Sequence, residues 1–179
     1  SWVAIGARSS EDQEHRIFAS AVDCPVGMKN PTSGQIDIGV NSIIAAQHPH
    51  VAVFNGYQVE TGGNAYAHLV LRGGALQPNY DKESLRTAER LLVERRVKNP
   101  ALIIDVSHDN CKKAGRKDYK LQTQVVREVL ATLQEEPSLR RTVKGFMIES
   151  FIKGGSQKVE GQAPETIDRT GLSITDPCL

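Results

Sequence analysis

Short apolar segments alternate along most of the chain with longer segments of helical periodicity. The apolar segments have the length and composition of buried strands; they are VAIGA, CPVGMK, HLVLR, ALIIDVS and VKGFMIE. Apolar residues between them recur at helical spacing, as in Ile36, Val40, Ile43 and Ile44, in Leu85, Ala88, Leu91 and Leu92, and in Leu121, Val125, Val129 and Leu133. Strands that alternate with amphipathic helices predict an α/β fold whose parallel sheet is covered by helices.

The first helical segment and one irregular interval give more local predictions. Ser10 and Gln13 are predicted to form a capping box, and Ile17 with Phe18 and Ala21 a buried face. In the irregular interval, VAVFNGYQVE, the pair Asn55-Gly56 separates two strand-like segments, which predicts a tight β-hairpin. The segment after residue 153 is rich in Gly and Thr and is predicted to be an extended loop.

Composition narrows the class of protein without identifying it. A length of 179 residues suits one domain, and 22 basic against 21 acidic residues leave no electrostatic footprint for nucleic acid or membrane. The three cysteines form no CxxC pair, which favours a reducing compartment. No apolar segment approaches the ~20 residues of a membrane helix. We therefore expect a cytoplasmic protein with neither nucleic-acid nor membrane partners.

Ionisable or polar side chains follow every predicted strand; in order they are Arg8, Lys29, Arg72, Ser107-His108 and Glu149. Each of them alone is more often a surface group, but five in succession favour a site, because the carboxyl ends of parallel strands share one edge. The three cations suit an anion with phosphate or carboxylate groups. His108, Glu149 and the later Asp176 suit a divalent metal such as Mn²⁺, Fe²⁺, Co²⁺ or Zn²⁺.

Six motifs in order resemble those of type I 3-deoxy-D-arabino-heptulosonate 7-phosphate (DAHP) synthase. They are SWVAIGARSSE, CPVGMKN, LVLRGG followed by PNY, IDVSHDN, GFMIES and SITDPC, and they extend over the whole chain. The resemblance implies a (β/α)₈ TIM-barrel enzyme at the entry to the shikimate pathway. Such an enzyme condenses phosphoenolpyruvate with erythrose 4-phosphate, with a divalent metal as cofactor.

The resemblance also implies roles for individual residues. Arg8 and Arg72 would bind the phosphate of phosphoenolpyruvate, assisted by the backbone N–H of Ala7. Lys29 would contact phosphoenolpyruvate near the carboxylate of that substrate and take part in proton transfer. The resemblance thus implies two catalytic residues, Lys29 and His108. The expected metal ligands are His108, Glu149 and Asp176, and Asp176 would also contact substrate. Asp105, on a buried strand, is expected to orient His108 through its second ring nitrogen.

The resemblance is to only part of the family's barrel, because in the family the SWxAIGAR motif lies at the fourth strand. Residues 1–179 are therefore expected to be a partial TIM-barrel catalytic domain. It would contain strands four to eight, with the hairpin inserted before the sixth, and would lack the first three strands and the last helix. The fourth metal ligand and several basic residues would be missing, so this chain alone is expected to be nearly inactive.

Two alternatives stay open at this point. The chain could be a non-catalytic half-barrel that acts through self-association, as a homo-oligomer, or with a separate N-terminal partner. It could also belong to a related phosphoenolpyruvate aldolase that uses another phosphorylated sugar, such as arabinose 5-phosphate.

Overall fold

Nine strands and four α-helices make up the regular structure of the chain, and the computed structural model describes residues 1–179 throughout. The strands are β1 (Val3–Ile5), β2 (Val26–Lys29), β3 (Val51–Phe54), β4 (Tyr57–Glu60), β5 (His68–Leu71), β6 (Leu102–Asp105), β7 (Lys112–Lys113), β8 (Arg116–Lys117) and β9 (Val143–Met147). The helices are α1 (Gln13–Ala21), α2 (Ile36–Gln47), α3 (Lys82–Glu94) and α4 (Gln122–Glu135). No α-helix is long and apolar enough to cross a membrane.

Five strands form one parallel sheet in the order β1-β2-β5-β6-β9. Neighbouring strands follow one another along the chain and are separated by helices, so the predicted α/β fold with a parallel sheet is confirmed. Strands β2 and β5 are buried along their full length. Strands β1 and β9 each have one neighbour, which leaves a row of unpaired backbone N–H and C=O groups on their outer sides.

The hydrophobic core lies between the sheet and its helices. Helix α2 contacts both β2 and β5 and is flanked by α1 and α3. The apolar positions predicted for α2 and α3 face this core, with Val40, Ile43, Leu85, Ala88 and Leu92 fully buried. Burial of these side chains fixes the helices on the sheet and therefore fixes where the loops after each strand emerge.

The predicted start of α1 is wrong. The helix is capped by Asp12, whose carboxylate accepts hydrogen bonds from the backbone N–H groups of Glu14 (2.7 Å) and His15 (3.4 Å). The Ser10 hydroxyl donates instead to the Ala7 carbonyl. A carboxylate two residues nearer to the helix satisfies its free amides, so no capping box forms.

The predicted buried face of α1 is also wrong. Phe18 is 45% exposed and Ala21 is exposed, whereas Ala19 and Ser20 are the buried residues of the helix. The Ser20 hydroxyl lies 2.6 Å from the Thr61 hydroxyl, so the face toward the sheet contains a hydrogen-bonded polar pair. A pattern of apolar residues cannot mark such a face.

Two hairpins project from the sheet. In the predicted one, β3 pairs antiparallel with β4 across Asn55 and Gly56, whose φ angles of 50° and 80° belong to a tight two-residue turn. The hairpin prediction is therefore confirmed. A second, unpredicted hairpin pairs β7 with β8 and turns through Ala114 and Gly115, both with positive φ. After β9 the chain contains one short 3₁₀ turn (Pro164–Thr166) and otherwise no regular element, as predicted.

His68 links the start of β5 to the start of the chain. Its Nε2 accepts a hydrogen bond of 3.0 Å from the Trp2 indole, and its Nδ1 lies 2.9 Å from the Tyr66 carbonyl. Both contacts are satisfied by a neutral ring that carries its proton on Nδ1. Burial lowers the pKa of His68 from 6.5, partly offset by the Tyr66 carbonyl. Protonation of Nε2 removes the acceptor of the Trp2 bond.

This contact predicts an acid-sensitive stability. Because the folded-state pKa lies below the unfolded value, the unfolded chain binds more protons, and the free energy of unfolding should fall as the pH drops below about 6.5. We expect the urea midpoint, followed by the fluorescence of Trp2, the only tryptophan, to decrease over this range. His68→Gln should flatten that dependence. An equal pH dependence in His68→Gln would contradict this assignment.

Candidate active site

A polar cavity of about 250 Å³ lies at the carboxyl ends of β1, β2, β5 and β6. It is lined by Gly6, Ala7, Arg8, Ser9, Lys29, Thr32, Arg72 and His108. Five of the predicted site residues therefore lie around one space, although they come from loops and strands spread over a hundred positions. A larger and shallower cleft of about 720 Å³ lies beside the first turn of α3 and contains none of the predicted site residues.

A buried carboxylate connects two of the cavity residues. Asp105 Oδ2 lies 2.9 Å from Lys29 Nζ and 2.9 Å from His108 Nδ1, and the Asp105 side chain is fully buried. Its other oxygen accepts a hydrogen bond of 2.9 Å from the Ser107 N–H. Burial acts to raise the pKa of Asp105, but His108 and Lys29 together lower it below its usual value. The carboxylate is therefore ionised and fixes both side chains toward the cavity, as expected for His108.

His108 has an uncommon backbone conformation, with φ of 54°. Residues other than glycine adopt this left-handed region at a cost of about 1–3 kcal/mol, and the surrounding structure must hold them there. A 3₁₀ turn over His108–Cys111 follows directly and holds the residue in place, with the Asn110 N–H donating to the Ser107 carbonyl. His108 is thus held in a fixed orientation at the edge of the cavity.

Arg72, directly after β5, is held by a second buried carboxylate. Its Nη1 pairs with Asp109, whose other oxygen lies 2.5 Å from Lys112 Nζ. Burial acts to raise the pKa of Asp109, but Lys112 and Arg72 bring it below its usual value. The Arg72 Nε is buried and has no acceptor. An anion in the cavity could supply that acceptor, whereas a buried donor left unpaired is costly.

Arg8, on the loop after β1, is the exposed cation of the cavity. No carboxylate lies within ion-pair distance of it, in contrast to Lys29 and Arg72. Its guanidinium is therefore available to an incoming anion without breaking an existing pair.

The structure brings two of the three predicted metal ligands together. His108 Nε2 lies 3.2 Å from Glu149 Oε1, and the Glu149 N–H donates to the Ser107 hydroxyl at 3.0 Å, which ties β9 to β6. Asp176 instead pairs with Lys117 on β8. No group of three or more His, Cys, Asp or Glu side chains is arranged here to hold a metal ion. The imidazole and carboxylate donors of His108 and Glu149 fit a divalent metal, and Asp176 would join them only after leaving Lys117.

Two glycine contacts keep the loops around the cavity close together. Gly73 has φ of 83°, and a Cβ there would lie 2.5 Å from the Asp109 backbone. A Cβ on Gly74 would lie 2.6 Å from the Gly34 Cα, and one on Gly34 would lie 2.9 Å from the Gly74 Cα. The loops after β2, β5 and β6 touch through backbone at these points, and only glycine allows that approach.

Comparison with known proteins gives the family. The model of the DAHP synthetase I family matches residues 1–178. The chain belongs to the DAHP synthetase I family. It is 41% identical over 186 residues to the Trp-sensitive phospho-2-dehydro-3-deoxyheptonate aldolase of Enterobacter agglomerans. That alignment covers all of this chain and 49% of the Enterobacter protein. It is 39% identical to the phospho-2-dehydro-3-deoxyheptonate aldolase of Corynebacterium glutamicum, covering 99% of this chain and 48% of that one.

A solved structure agrees with this membership. The phospho-2-dehydro-3-deoxyheptonate aldolase of Francisella tularensis SCHU S4 superposes with a TM-score of 0.84 at 32% identity. The match covers 99% of this chain and 50% of that one. The chain thus spans about half the length of the DAHP synthetase I relatives described here, and the resemblance to the family predicted from its motifs is confirmed.

Several side chains that organise this cavity are not identified from the sequence. Asp109 and Lys112 form the network that holds Arg72, and Lys117 pairs with Asp176. Only the position of Asp109 directly after His108 in the sequence could have suggested that Asp109 lies near the cavity. Its partner Arg72 is 37 residues away in the chain, so the pairing depends on the sheet order and not on any local spacing.

Loss of the Asp105 charge should destabilise the protein. In Asp105→Asn, Lys29 and His108 lose the anion between them, and removal of one member of a buried ion pair typically costs about 3–5 kcal/mol. Urea unfolding should show a loss of this order. Glu94→Gln, which breaks the exposed pair with Arg90, should have little effect. Equal losses in the two variants would contradict a special role for the buried carboxylate.

Proposed function

We propose that this chain forms the phosphoenolpyruvate-binding part of a DAHP synthase, an enzyme that condenses phosphoenolpyruvate with erythrose 4-phosphate at the entry to the shikimate pathway. The observation that carries the proposal is the cavity in which Arg8, Lys29 and Arg72 converge beside His108. The names of the relatives in the DAHP synthetase I family support the same reaction.

The three cations bind different groups of phosphoenolpyruvate. Arg8 and Arg72 bind the phosphate group, since two guanidinium groups can each present paired N–H donors to its oxygens. The free Nε of Arg72 and the unpaired Arg8 support this assignment. The Ala7 N–H is a further donor to the phosphate. Lys29 lies deeper, against Asp105, and binds near the carboxylate of the substrate.

The condensation forms a bond between C3 of phosphoenolpyruvate and the aldehyde carbon of erythrose 4-phosphate. Water then adds at C2, and the resulting hemiketal phosphate releases inorganic phosphate. Lys29 would move a proton at the phosphoenolpyruvate end, and its contact of 2.9 Å with Asp105 supports this role by fixing the position of its Nζ. Fixed cations around the reacting anion stabilise charge that develops during the reaction without reorganising.

A divalent metal would be held by His108, Glu149 and Asp176. The chemistry it would supply is polarisation of the aldehyde oxygen as a Lewis acid. Mn²⁺, Fe²⁺, Co²⁺ and Zn²⁺ all accept imidazole and carboxylate donors. Asp176, besides this role, would lie near the substrate once released from Lys117.

The sheet is proposed to be strands four to eight of a (β/α)₈ barrel, with residues 1–179 as one partial catalytic domain. The open sides of β1 and β9 support this, because a barrel has no unpaired strand. A further segment, a separate chain or a second copy would complete the barrel. Self-association without catalysis is the second candidate function, and the same unpaired edges favour it.

The first prediction concerns substrate binding. Arg72→Lys keeps the charge beside Asp109 but loses the fork that binds phosphate, so the affinity for phosphoenolpyruvate measured by titration calorimetry should fall at least about tenfold. Arg127→Lys, a change at an exposed arginine of α4, is the matched control and should leave the affinity unchanged. Undiminished binding by Arg72→Lys would contradict the assignment of the phosphate site.

The second prediction concerns turnover. With phosphoenolpyruvate, erythrose 4-phosphate and Mn²⁺, the chain alone should release phosphate at close to the background rate while still binding phosphoenolpyruvate, because its sheet is open. EDTA should change nothing under these conditions. Rapid phosphate release that EDTA abolishes would mean that self-association completes the site, and light scattering would then show a complex of two or more copies.

A further inference from the structure

Three buried asparagines lie directly behind the predicted phosphate site. Asn30, Asn79 and Asn110 are 0%, 4% and 1% exposed. Asn30 follows Lys29 at the end of β2, Asn110 follows His108 by two residues, and Asn79 lies in the loop between β5 and α3. We refer to these three residues as the asparagine network.

The asparagine network binds the backbone on both sides of Arg72. The Arg72 N–H donates to Asn30 Oδ1 (2.9 Å) and the Gly73 N–H to Asn79 Oδ1 (2.7 Å). The Gly73 carbonyl accepts from Asn30 Nδ2 at 2.9 Å, and the Leu71 carbonyl accepts from Asn110 Nδ2 at 3.1 Å. Four hydrogen bonds to three consecutive residues, Leu71 to Gly73, therefore fix the main chain from which the Arg72 side chain projects.

Asn79 connects the other two asparagines. Its Nδ2 donates to Asn30 Oδ1 at 3.1 Å, and its backbone N–H donates to Asn110 Oδ1 at 2.9 Å. Asn110 in turn donates to the Asp105 carbonyl at 2.8 Å. The loops that carry Lys29, Arg72 and His108 are thus joined through one set of amide side chains.

Only a side-chain amide fits these positions, because each of them both donates and accepts. A carboxylate would lack the donors, and an apolar residue would leave several buried backbone groups unpaired. A buried polar network with every member satisfied is rigid, which is what a bidentate contact to phosphate requires.

We propose that Asn79 is a positioning residue for phosphate recognition: through Asn30 and Gly73 it sets the direction of the Arg72 guanidinium. The inference rests on the proposed function, since phosphoenolpyruvate is the ligand whose phosphate Arg72 would bind. Asn79 itself does not line the cavity and acts through Arg72.

The chain offers a matched control at the opposite end of the sheet. Asn64 is 5% exposed, its Nδ2 donates to the Val22 and Cys24 carbonyls, and its Oδ1 accepts from the Tyr66 N–H. Asn64→Ala removes three side-chain hydrogen bonds, all to backbone groups. Asn79→Ala also removes three, because Asn79 Nδ2 lies 3.5 Å from the Gly34 carbonyl in addition to its contacts with Gly73 and Asn30. A purely structural role predicts similar effects of both changes on ligand binding.

The experiment is titration of the full chain with phosphoenolpyruvate, without metal, in the wild type, Asn79→Ala and Asn64→Ala. We expect Asn79→Ala to weaken binding at least about tenfold, a loss of the size seen when the partners that orient metal ligands are removed. Asn64→Ala should change the affinity less than about twofold at a comparable loss of urea stability. Asn79→Ser, which adds no charge and keeps a small polar side chain, replaces Asn79→Ala should the latter not fold.

A double-mutant cycle separates positioning from general damage. In the Arg72→Ala background there is no guanidinium to orient, so adding Asn79→Ala should cost less than about twofold further. An additive loss in that background, or an equal loss in Asn64→Ala, would overturn the proposal. If the wild type binds phosphoenolpyruvate and Asn79→Ala binds it equally well, the proposal for Asn79 is wrong but the proposed function stands. Absence of wild-type binding would overturn both.

Discussion

The contacts made by the buried carboxylate of Asp105 are the interaction on which the rest of the cavity depends. Two neighbouring groups, Lys29 and His108, converge on one oxygen at the end of β6, where water is excluded. Burying a lysine charge without a partner would cost several kcal/mol, and the lysine would lose its proton instead. The carboxylate supplies that partner to Lys29 and contacts the His108 imidazole, so both side chains are positioned before any ligand arrives.

A buried carboxylate also positions Arg72, but here it is shared between two cations, Arg72 and Lys112. Asp109 and Lys112 hold its guanidinium from behind, while the asparagine network holds its backbone. Counter-charges make burial of Lys29 and Arg72 tolerable, but they also weaken the attraction that these cations exert on an anion. Arg8, exposed and unpaired, has no such compensation. We therefore expect Arg8 to attract an anion from solvent, while the buried Lys29 and Arg72 set the geometry of the cavity.

Much of this architecture is predictable from the sequence because strand and helix periodicities reflect burial directly. The parallel sheet, the Asn55-Gly56 hairpin and the residues at the strand ends all follow from local patterns and from the shared edge of parallel strands. The face of α1 does not, since Ser20 is buried against Thr61 through a hydrogen bond. Nor do the pairs Arg72–Asp109 and Lys117–Asp176 or the three asparagines. These depend on which loops meet in space, and spacing along the chain carries no information about that.

The contact between Gly34 and Gly74 has a consequence for how this surface can change over time. Each glycine occupies the space that a side chain on the other would need, so a single substitution at either position forces two loops apart. Acceptable sequence change here requires paired replacements together with a backbone shift, which is a rare event. The turn of the β7–β8 hairpin has open space around Gly115, so a side chain there would meet the backbone strain of a φ of 76° but no steric contact. A substitution in that turn would therefore leave the neighbouring loops in place, whereas one at Gly34 or Gly74 would not.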